Sequence, residues 1–319
     1  MVKGEGETPA VRAVKRITIG TRGSALALQQ TAWVRQRIAA RYPGLAIAVR
    51  RIKTTGDKIT DVPLSQVGGK GVFVKEIEEA LMRGEIDLAV HSMKDVPSEL
   101  PAGLHLGAIT EREDPRDVLI SKDGQGLRQL PPGARIGTSS LRRKAQLLGI
   151  NPTWAIVPVR GNLDTRIRRL AAAGLDAVIV AAAGVCRMGL KERVSEYLSL
   201  DTMLPAAGQG ALGIECRQEA AVNEVIAFLR HPESVMAVEG ERALLRRLGG
   251  GCQVPIGVLG EVHAGVLFLR GVVACLDGSR VFRAAAQGDD PGEVGKRLAA
   301  DLLAQGAGKV LQEIYQGVL

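Results

Sequence analysis

Short apolar runs alternating with helical patterns constrain this chain more than any other feature. The run "DLAVHSM" (87–93) is apolar at Leu88–Val90 and polar just after, and "LDAVIVAAAG" (175–184) is apolar nearly throughout. Both read as strands. So do "RITIG" (16–20), "LAIAVRRI" (45–52), "ARIG" (134–137) and "WAIVPV" (154–159). Helical patterns separate them. Ser24 is placed to cap a helix running through Tyr42, with Ala27, Thr31, Val34 and Ile38 on one stripe and Pro43-Gly44 as its stop. A second helix follows Gly71, with Phe73, Ile77 and Leu81 four apart and Gly84 closing it. "TSSLRRKAQLL" and "NLDTRIRRLAAAG" supply two more. Strands separated by helices predict parallel sheets built from βαβ units.

The pattern runs twice, with links near Thr110–Arg116 and Leu204–Gly210, and no short sequence repeat accompanies it. From about His231 it changes to a helix (Glu233–Leu248), a glycine loop and three close strand candidates. Asp277-Gly278 is a hairpin turn there, and a last helical region covers Gly292–Tyr315. The expected architecture is therefore α/β, with two α/β lobes and a smaller α+β C-terminal domain. The expected divisions are a disordered tail at 1–15, a discontinuous first lobe at 16–112 and 208–230, a second lobe at 113–207 and a third domain at 231–319. With 319 residues the chain is long enough for such a division. Aromatic residues make up only 3%, so the cores must be built from Ala, Val, Leu and Ile.

No apolar run approaches the roughly 18 residues of a membrane span, and the N-terminal segment has no apolar core of a secretory signal. A cytoplasmic protein without membrane contact is expected. The net charge of +8 suits an anionic ligand. Nucleic acid is disfavoured, because no basic run carries interleaved aromatics and no zinc-finger or RNP pattern is present. Cys186, Cys216, Cys252 and Cys275 form no CxxC pair, so neither a structural metal site nor a disulfide framework is expected. That leaves Cys252, in "LGGGCQVPIG" (248–257), as a nucleophile or a small buried thiol.

The polar residues gather where strands stop and helices start, which is where open α/β sheets bind ligands. "TRGS" places Arg22 and Ser24 there. "GTSSLRR" places Thr138, Ser139 and Ser140 at a helix start with Arg142 and Arg143 in its first turn. Cations in a first turn oppose the helix dipole, which points to an anionic partner. "VRGNLDTR" adds Arg160 and Arg166, and "AAGVCRMG" adds Arg187 after a buried strand. A lone arginine is a solvated charge; this many at one sheet edge form a carboxylate-binding surface. "VGGKGVF" lacks the spacing of a nucleotide-binding loop, and its Lys70 either reaches a ligand or sits in a flexible turn. "HSMKDVP" sets Lys94 and Asp95 at a strand mouth. Among so many cations Asp95 stays ionised and can stabilise a cationic intermediate. A Schiff base on Lys94 is the rival chemistry, although nothing in the sequence desolvates that lysine.

"VGGKGVFVKE", "AVHSMKDVP", "EREDPRD", "GTSSLRR", "RGN…TR", "LPAAGQGALGIECR" and "GGGCQVPIG" occur in one register from about Ile17 onward. Together they resemble the motifs of the porphobilinogen deaminase family. The resemblance implies two lobes of the type II periplasmic-binding-protein fold and a third domain carrying a cysteine-linked dipyrromethane, here on Cys252. It implies a transferase that joins four porphobilinogen units head to tail, releasing ammonia, and then frees hydroxymethylbilane by hydrolysis. By the same carry-over Asp95, Arg22 and Arg160 are catalytic. Ser24, Lys94, Thr138, Ser139, Ser140, Arg142, Arg143, Arg166 and Arg187 hold cofactor or substrate, and Lys70 lies on an active-site loop. A monomer is implied, with room for transient contact with the downstream uroporphyrinogen-III synthase. Two departures stand out. Gln66 and Cys186 occupy places where lysine is common, and Cys186 is expected to be structural. The rival reading is a non-catalytic module whose two lobes close on a carboxylate ligand. The missing helix-turn-helix pattern counts against a regulator of that kind.

Overall fold

The computed structural model of the chain describes residues 9–58, 71–250 and 254–317. In chain order the strands are β1 (Arg16–Thr21), β2 (Ala46–Arg51), β3 (Leu88–Ser92), β4 (Leu104–Ile109), β5 (Asp117–Ser121), β6 (Arg135–Gly137) and β7 (Ala155–Val157). They continue with β8 (Ala177–Ala181), β9 (Glu196–Tyr197), β10 (Leu212–Arg217), β11 (Ile256–His263), β12 (Val266–Ala274) and β13 (Val281–Gly288).

Three sheets result, ordered β2-β1-β3-β10-β4, β7-β6-β8-β5-β9 and β11-β12-β13. The first two share one plan. A central strand is flanked by parallel neighbours, β1 by β2 and β3, β6 by β7 and β8. The fourth strand runs antiparallel to its neighbours in each. Wholly parallel sheets were expected, and the difference has a plain cause. β5 and β10 enter their sheets from the other lobe, through the two links, and not over a helical crossover. Nothing then forces them to run parallel. The α/β expectation of two lobes plus an α+β domain holds.

Helix formation follows the sequence closely. The helix Ala25–Arg41 is capped by the Ser24 hydroxyl, which accepts from the Ala27 N–H, and buries Ala27, Thr31, Val34 and Ile38. The helix Leu141–Ile150 is capped by Ser140 in the same way. Four local expectations change. Phe73 lies before the helix Lys75–Met82 and not on its stripe. A short helix, Ala182–Arg187, follows β8, so Arg187 ends a helix and does not directly follow a strand. The last helical region splits into Pro291–Ala304 and Ala307–Tyr315 at Gly306, whose φ of 107° ends the first helix. The tail expected to be disordered to Lys15 holds the helix Pro9–Ala13, and Val11 packs in the first-lobe core with Val222 and Val225.

The cores are aliphatic, as the low aromatic content requires. Ile17, Ile19 and Leu88 are fully buried in the first lobe, as are Leu119 and Ile136 in the second. The two tryptophans sit apart. Trp33 is on the outer face of the helix Ala25–Arg41 with the Arg37 guanidinium 5.1 Å above its ring, whereas Trp154 is buried in the second lobe.

Both links are tied to the third domain at Glu241, which is fully buried on the helix Pro232–Arg247. Its carboxylate accepts two hydrogen bonds from Arg112 of the first link, at 2.7 and 2.9 Å. It also accepts from the Gly208 N–H of the second link and the Gly260 N–H of β11, at 2.6 and 2.8 Å. The links touch each other at Gly210, where φ is 98° and a Cβ would lie 2.2 Å from the Glu113 carbonyl oxygen. Only glycine fits there.

Candidate active site

A cleft of about 650 Å3 lies between the lobes and reaches the third domain. That volume is within the roughly 300–1,000 Å3 typical of small-molecule sites. The first lobe supplies Arg22, Ser24, Lys94 and Asp95, and the second supplies Ser140, Arg142, Arg143, Arg160, Arg166 and Arg187. Leu245, Val254 and Ile256 close it from the third domain. Lys70, Gln66 and Cys252 lie outside the described residues.

Lys94 and Asp95 sit on a short 3-10 turn, Met93–Asp95, that continues directly from β3. Burial, with Arg143 alongside, pulls the Lys94 ammonium down to about 8, against the attraction of Asp95 and Asp117. The lysine that looked solvated in the sequence is thus desolvated in the fold. Among the described residues no hydrogen bond or ion pair engages the Asp95 carboxylate. Its charge acts on Lys94 and Arg166 from a distance.

Arg22 is held where β1 ends. It is ion-paired with Asp57, and its guanidinium lies 4.3 Å from the Phe73 ring centroid. Burial alone would raise Asp57, but Arg22 and Thr54 outweigh it and hold the carboxyl below its usual range. Arg166, in the helix Leu163–Ala172, is pulled down to about 10 by burial and then by Arg143. Its Nε donates to the Gly161 carbonyl at 2.9 Å. Arg187 donates to the Gly210 carbonyl at 2.6 Å, so it touches the second link.

Arg142 and Arg143 behave differently from the expectation of an external anion at that helix start. Both are buried and both pair with Asp117, the first residue of β5, at 2.7 and 2.8 Å. Arg142 also donates to the Leu204 carbonyl and Arg143 to that of Ile179. Burial would raise the Asp117 carboxyl, but the two guanidiniums hold it well below the usual carboxylate range. The protein supplies the anion itself. A ligand meets only the remaining faces of these arginines.

Thr138 and Ser139 do not line the cleft. Thr138 Oγ1 accepts from the Ser140 N–H, and Ser139 Oγ donates to the Val159 carbonyl, so both shape the turn that presents Ser140. Cys186 is half-buried, and its thiol helps to push the Tyr197 phenol up. Asp57 and Asp117 lie in unremarkable charged or glycine-rich stretches and carry no site signal in the sequence, and Phe73, expected on a helix stripe, packs against Arg22 instead. The sequence reading also missed Gln30, which hydrogen-bonds Ser92 at 3.0 Å and lines the cleft. A signal existed for Gln30, since it is a polar residue beside Thr31 on the buried face of its helix.

The arrangement suits a carboxylated ligand. Cations come from both lobes, and two donor atoms, Arg143 Nε and Arg160 Nη1, are buried without a hydrogen-bond partner among the described residues. Leaving such donors unpaired is costly, so they fit the acceptors of a polycarboxylate such as a dipyrromethane. Among the described residues no group of three or more His, Cys, Asp or Glu side chains is placed to hold a metal ion. No helix among them is long and apolar enough to cross a membrane.

Two family profiles match the chain. That of the porphobilinogen deaminase dipyromethane cofactor binding domain covers residues 17–224, and that of the porphobilinogen deaminase C-terminal domain covers 235–304. The porphobilinogen deaminase of Geobacter metallireducens is 56% identical over 307 residues, covering 95% of this chain and 96% of that protein. The porphobilinogen deaminase of Pelobacter propionicus is 54% identical over 305 residues, covering 95% and 98%. Among solved structures, the periplasmic VFT2 domain of Bordetella pertussis BvgS aligns over 68% of this chain and 87% of its own, at 13% identity and a TM-score of 0.41. Site, profiles and relatives agree over nearly the whole length, and the chain belongs to the porphobilinogen deaminase family.

Proposed function

We propose that this chain joins four porphobilinogen units head to tail, releasing ammonia at each addition, and then frees hydroxymethylbilane by hydrolysis. One observation carries this reading: an Asp95 carboxylate without a hydrogen-bonded partner among the described residues, set in a cleft whose other charged walls are mainly cationic. A dipyrromethane attached through Cys252 would supply the pyrrole terminus on which the chain grows. Val254, two residues beyond Cys252, lines the cleft and supports that attachment.

The protein's own groups divide the work. Arg22, Arg160, Arg166 and Arg187 bind the acetate and propionate carboxylates and orient the rings, with Ser24, Ser140, Arg142 and Arg143 adding contacts. A ligand carboxylate beside Lys94 favours its charged form. Asp95 faces the pyrrole N–H and stabilises the positive charge that develops as ammonia leaves. It is also the group placed to take the proton lost from the ring carbon on joining. Lys70 belongs to the substrate-binding set on this reading. The same reading includes the domain divisions 16–112 with 208–230, 113–207 and 231–319, a monomeric cytoplasmic enzyme, and transient hand-over of product to uroporphyrinogen-III synthase.

The test is the intact mass of the purified protein. Active enzyme is heavier than its bare chain by a dipyrrole that maps to the Cys252 peptide, and Cys252→Ala lacks both that mass and turnover. Active material at the bare-chain mass sinks the reading. The burial of Lys94 favours one rival, a Schiff base. Borohydride added with substrate leaves the Lys94 peptide unmodified on our reading and labels it on the rival one.

A further inference from the structure

Behind the catalytic turn, three ionisable side chains are buried in the first-lobe interior. Glu78 comes from the helix Lys75–Met82, His91 from β3 and Glu215 from β10, and they are 8%, 4% and 0% exposed. Glu215 and His91 lie diagonally across the β3–β10 ladder, where His91 stands opposite Gly213 and Glu215 opposite Ala89. Their Nε2 and Oε2 atoms are 2.9 Å apart. His91 also lines the cleft, next to Ser92 and four residues before Asp95. The cluster therefore reaches from the core to the site wall.

Each carboxylate keeps one buried oxygen with no hydrogen-bond partner among the described residues, Glu78 Oε1 and Glu215 Oε1. Two carboxylates this dry, each felt by the other's charge, do not both ionise freely. Burial first, and then the charge of Glu215, push the Glu78 carboxyl up to about 7, with His91 opposing. The other groups facing the cluster do not relieve it. Arg242, on the helix Pro232–Arg247, attracts Glu215 but spends its donors on the Val96 and Ser98 carbonyls. Arg246 acts on Arg242 in turn. Cys216, next on β10, stays a neutral thiol because burial pushes it up to about 11.

We propose that Glu78, His91 and Glu215 form an electrostatically coupled buried cluster in which Glu215 acts as a positioning residue, holding the His91 ring on the cleft wall behind Asp95, and Glu78 sets the charge behind it. Its use in catalysis rests on the deaminase reading; the cluster itself does not. His91 Nε2 and Glu215 Oε2 share one hydrogen bond. Glu78 keeps its proton at low pH and gives it to solvent as pH rises, which leaves one more negative charge behind β3. The linkage has a definite sign. A carboxyl raised by folding contributes stability that is fully present below about 4.5 and is lost as pH rises through about 7.

The experiment uses the full-length holoenzyme and its Glu78→Gln and Glu215→Gln variants. Thermal melts run from about pH 5.5 to 8.5, with carbon-13 spectra of labelled glutamate carboxyls. One carboxyl of the parent titrates near 7 and is missing in Glu78→Gln. At pH 8 Glu78→Gln melts about 2–4 °C above the parent, and the two converge at pH 5.5. In Glu215→Gln the same carboxyl titrates lower than in the parent, a shift that mere loss of packing does not produce. The logarithm of kcat against pH loses its inflection near 7 in Glu78→Gln, with KM unchanged. Parallel melts across the range, or no carboxyl titrating above 5.5, overturn the proposal. If Glu78→Gln fails to fold, the parent carboxyl titration decides alone. The spectra and melts need no turnover, so an inactive protein would refute the deaminase reading and leave the cluster standing.

Discussion

The two lobes share a frame and differ in where they put charge. β3 and β8 occupy the same place in their sheets, as do β10 and β5. Ser92, the last residue of β3, pairs with Leu212, and Ala181, the last of β8, pairs with Asp117. Leu212 and Asp117 are therefore equivalent positions. In the second lobe the crossing strand opens on a buried carboxylate that neutralises Arg142 and Arg143. In the first it opens on an apolar side chain, and the carboxylate stands one element away, at Asp95 on the cleft side of the turn. The same frame thus makes one lobe a rigid base for cations and the other a presenter of an open anion. A carboxylate enclosed by two guanidiniums is structural; one left facing a cleft is available to substrate.

The largest test of that contrast is Asp117→Asn. It leaves two buried guanidiniums without a counter-charge and should cost about 3–5 kcal/mol of stability, read from denaturant unfolding. A loss under about 1 kcal/mol would show that the lobes do not differ in this way. Next comes Asp95→Asn. It should unfold at the parent's denaturant midpoint and keep its bound dipyrrole, while kcat falls about 10²–10³-fold. Normal turnover would remove Asp95 from the chemistry. The smallest effect concerns Lys94, which titrates near 8 before a ligand arrives. It carries its charge below that value and loses it above, so KM should rise several-fold between pH 7 and pH 9. Lys94→Met should flatten that rise and leave KM already high at pH 7.

What the sequence made legible is the local part of this contrast. Period and caps located the helices that begin at Ser24 and Ser140. Strand ends placed Arg22, Lys94, Asp95 and Arg160 on the cleft wall, and the helix start after Arg160 placed Arg166 there; Arg187 reaches it from the end of a short helix that the pattern did not show. Three things were not legible. Asp117 read as the end of a charged link, since its partners lie 25 and 26 residues away and meet it only when β5 enters the sheet. The unfavourable placement of Arg142 and Arg143 was seen, but it was assigned to a missing ligand when an internal carboxylate answers it. The His91–Glu215 pair spans 124 residues and exists only because β10 returns to the first lobe. Each failure is a contact between lobes or across a crossing strand, which local pattern does not encode.

The placement of the two tryptophans has an optical consequence. Each lobe carries a single indole, one in water and one in a dry core. Trp33 is 38% exposed and Trp154 5% exposed, so the first should emit at longer wavelength than the second in the native protein. Excited together, they form a two-colour reporter that needs no label. As the second lobe opens, the blue component moves to the red and the Trp33 component stays in place. A spectrum that shifts in two steps then reports lobes that melt separately, and a single step reports lobes that melt as one body.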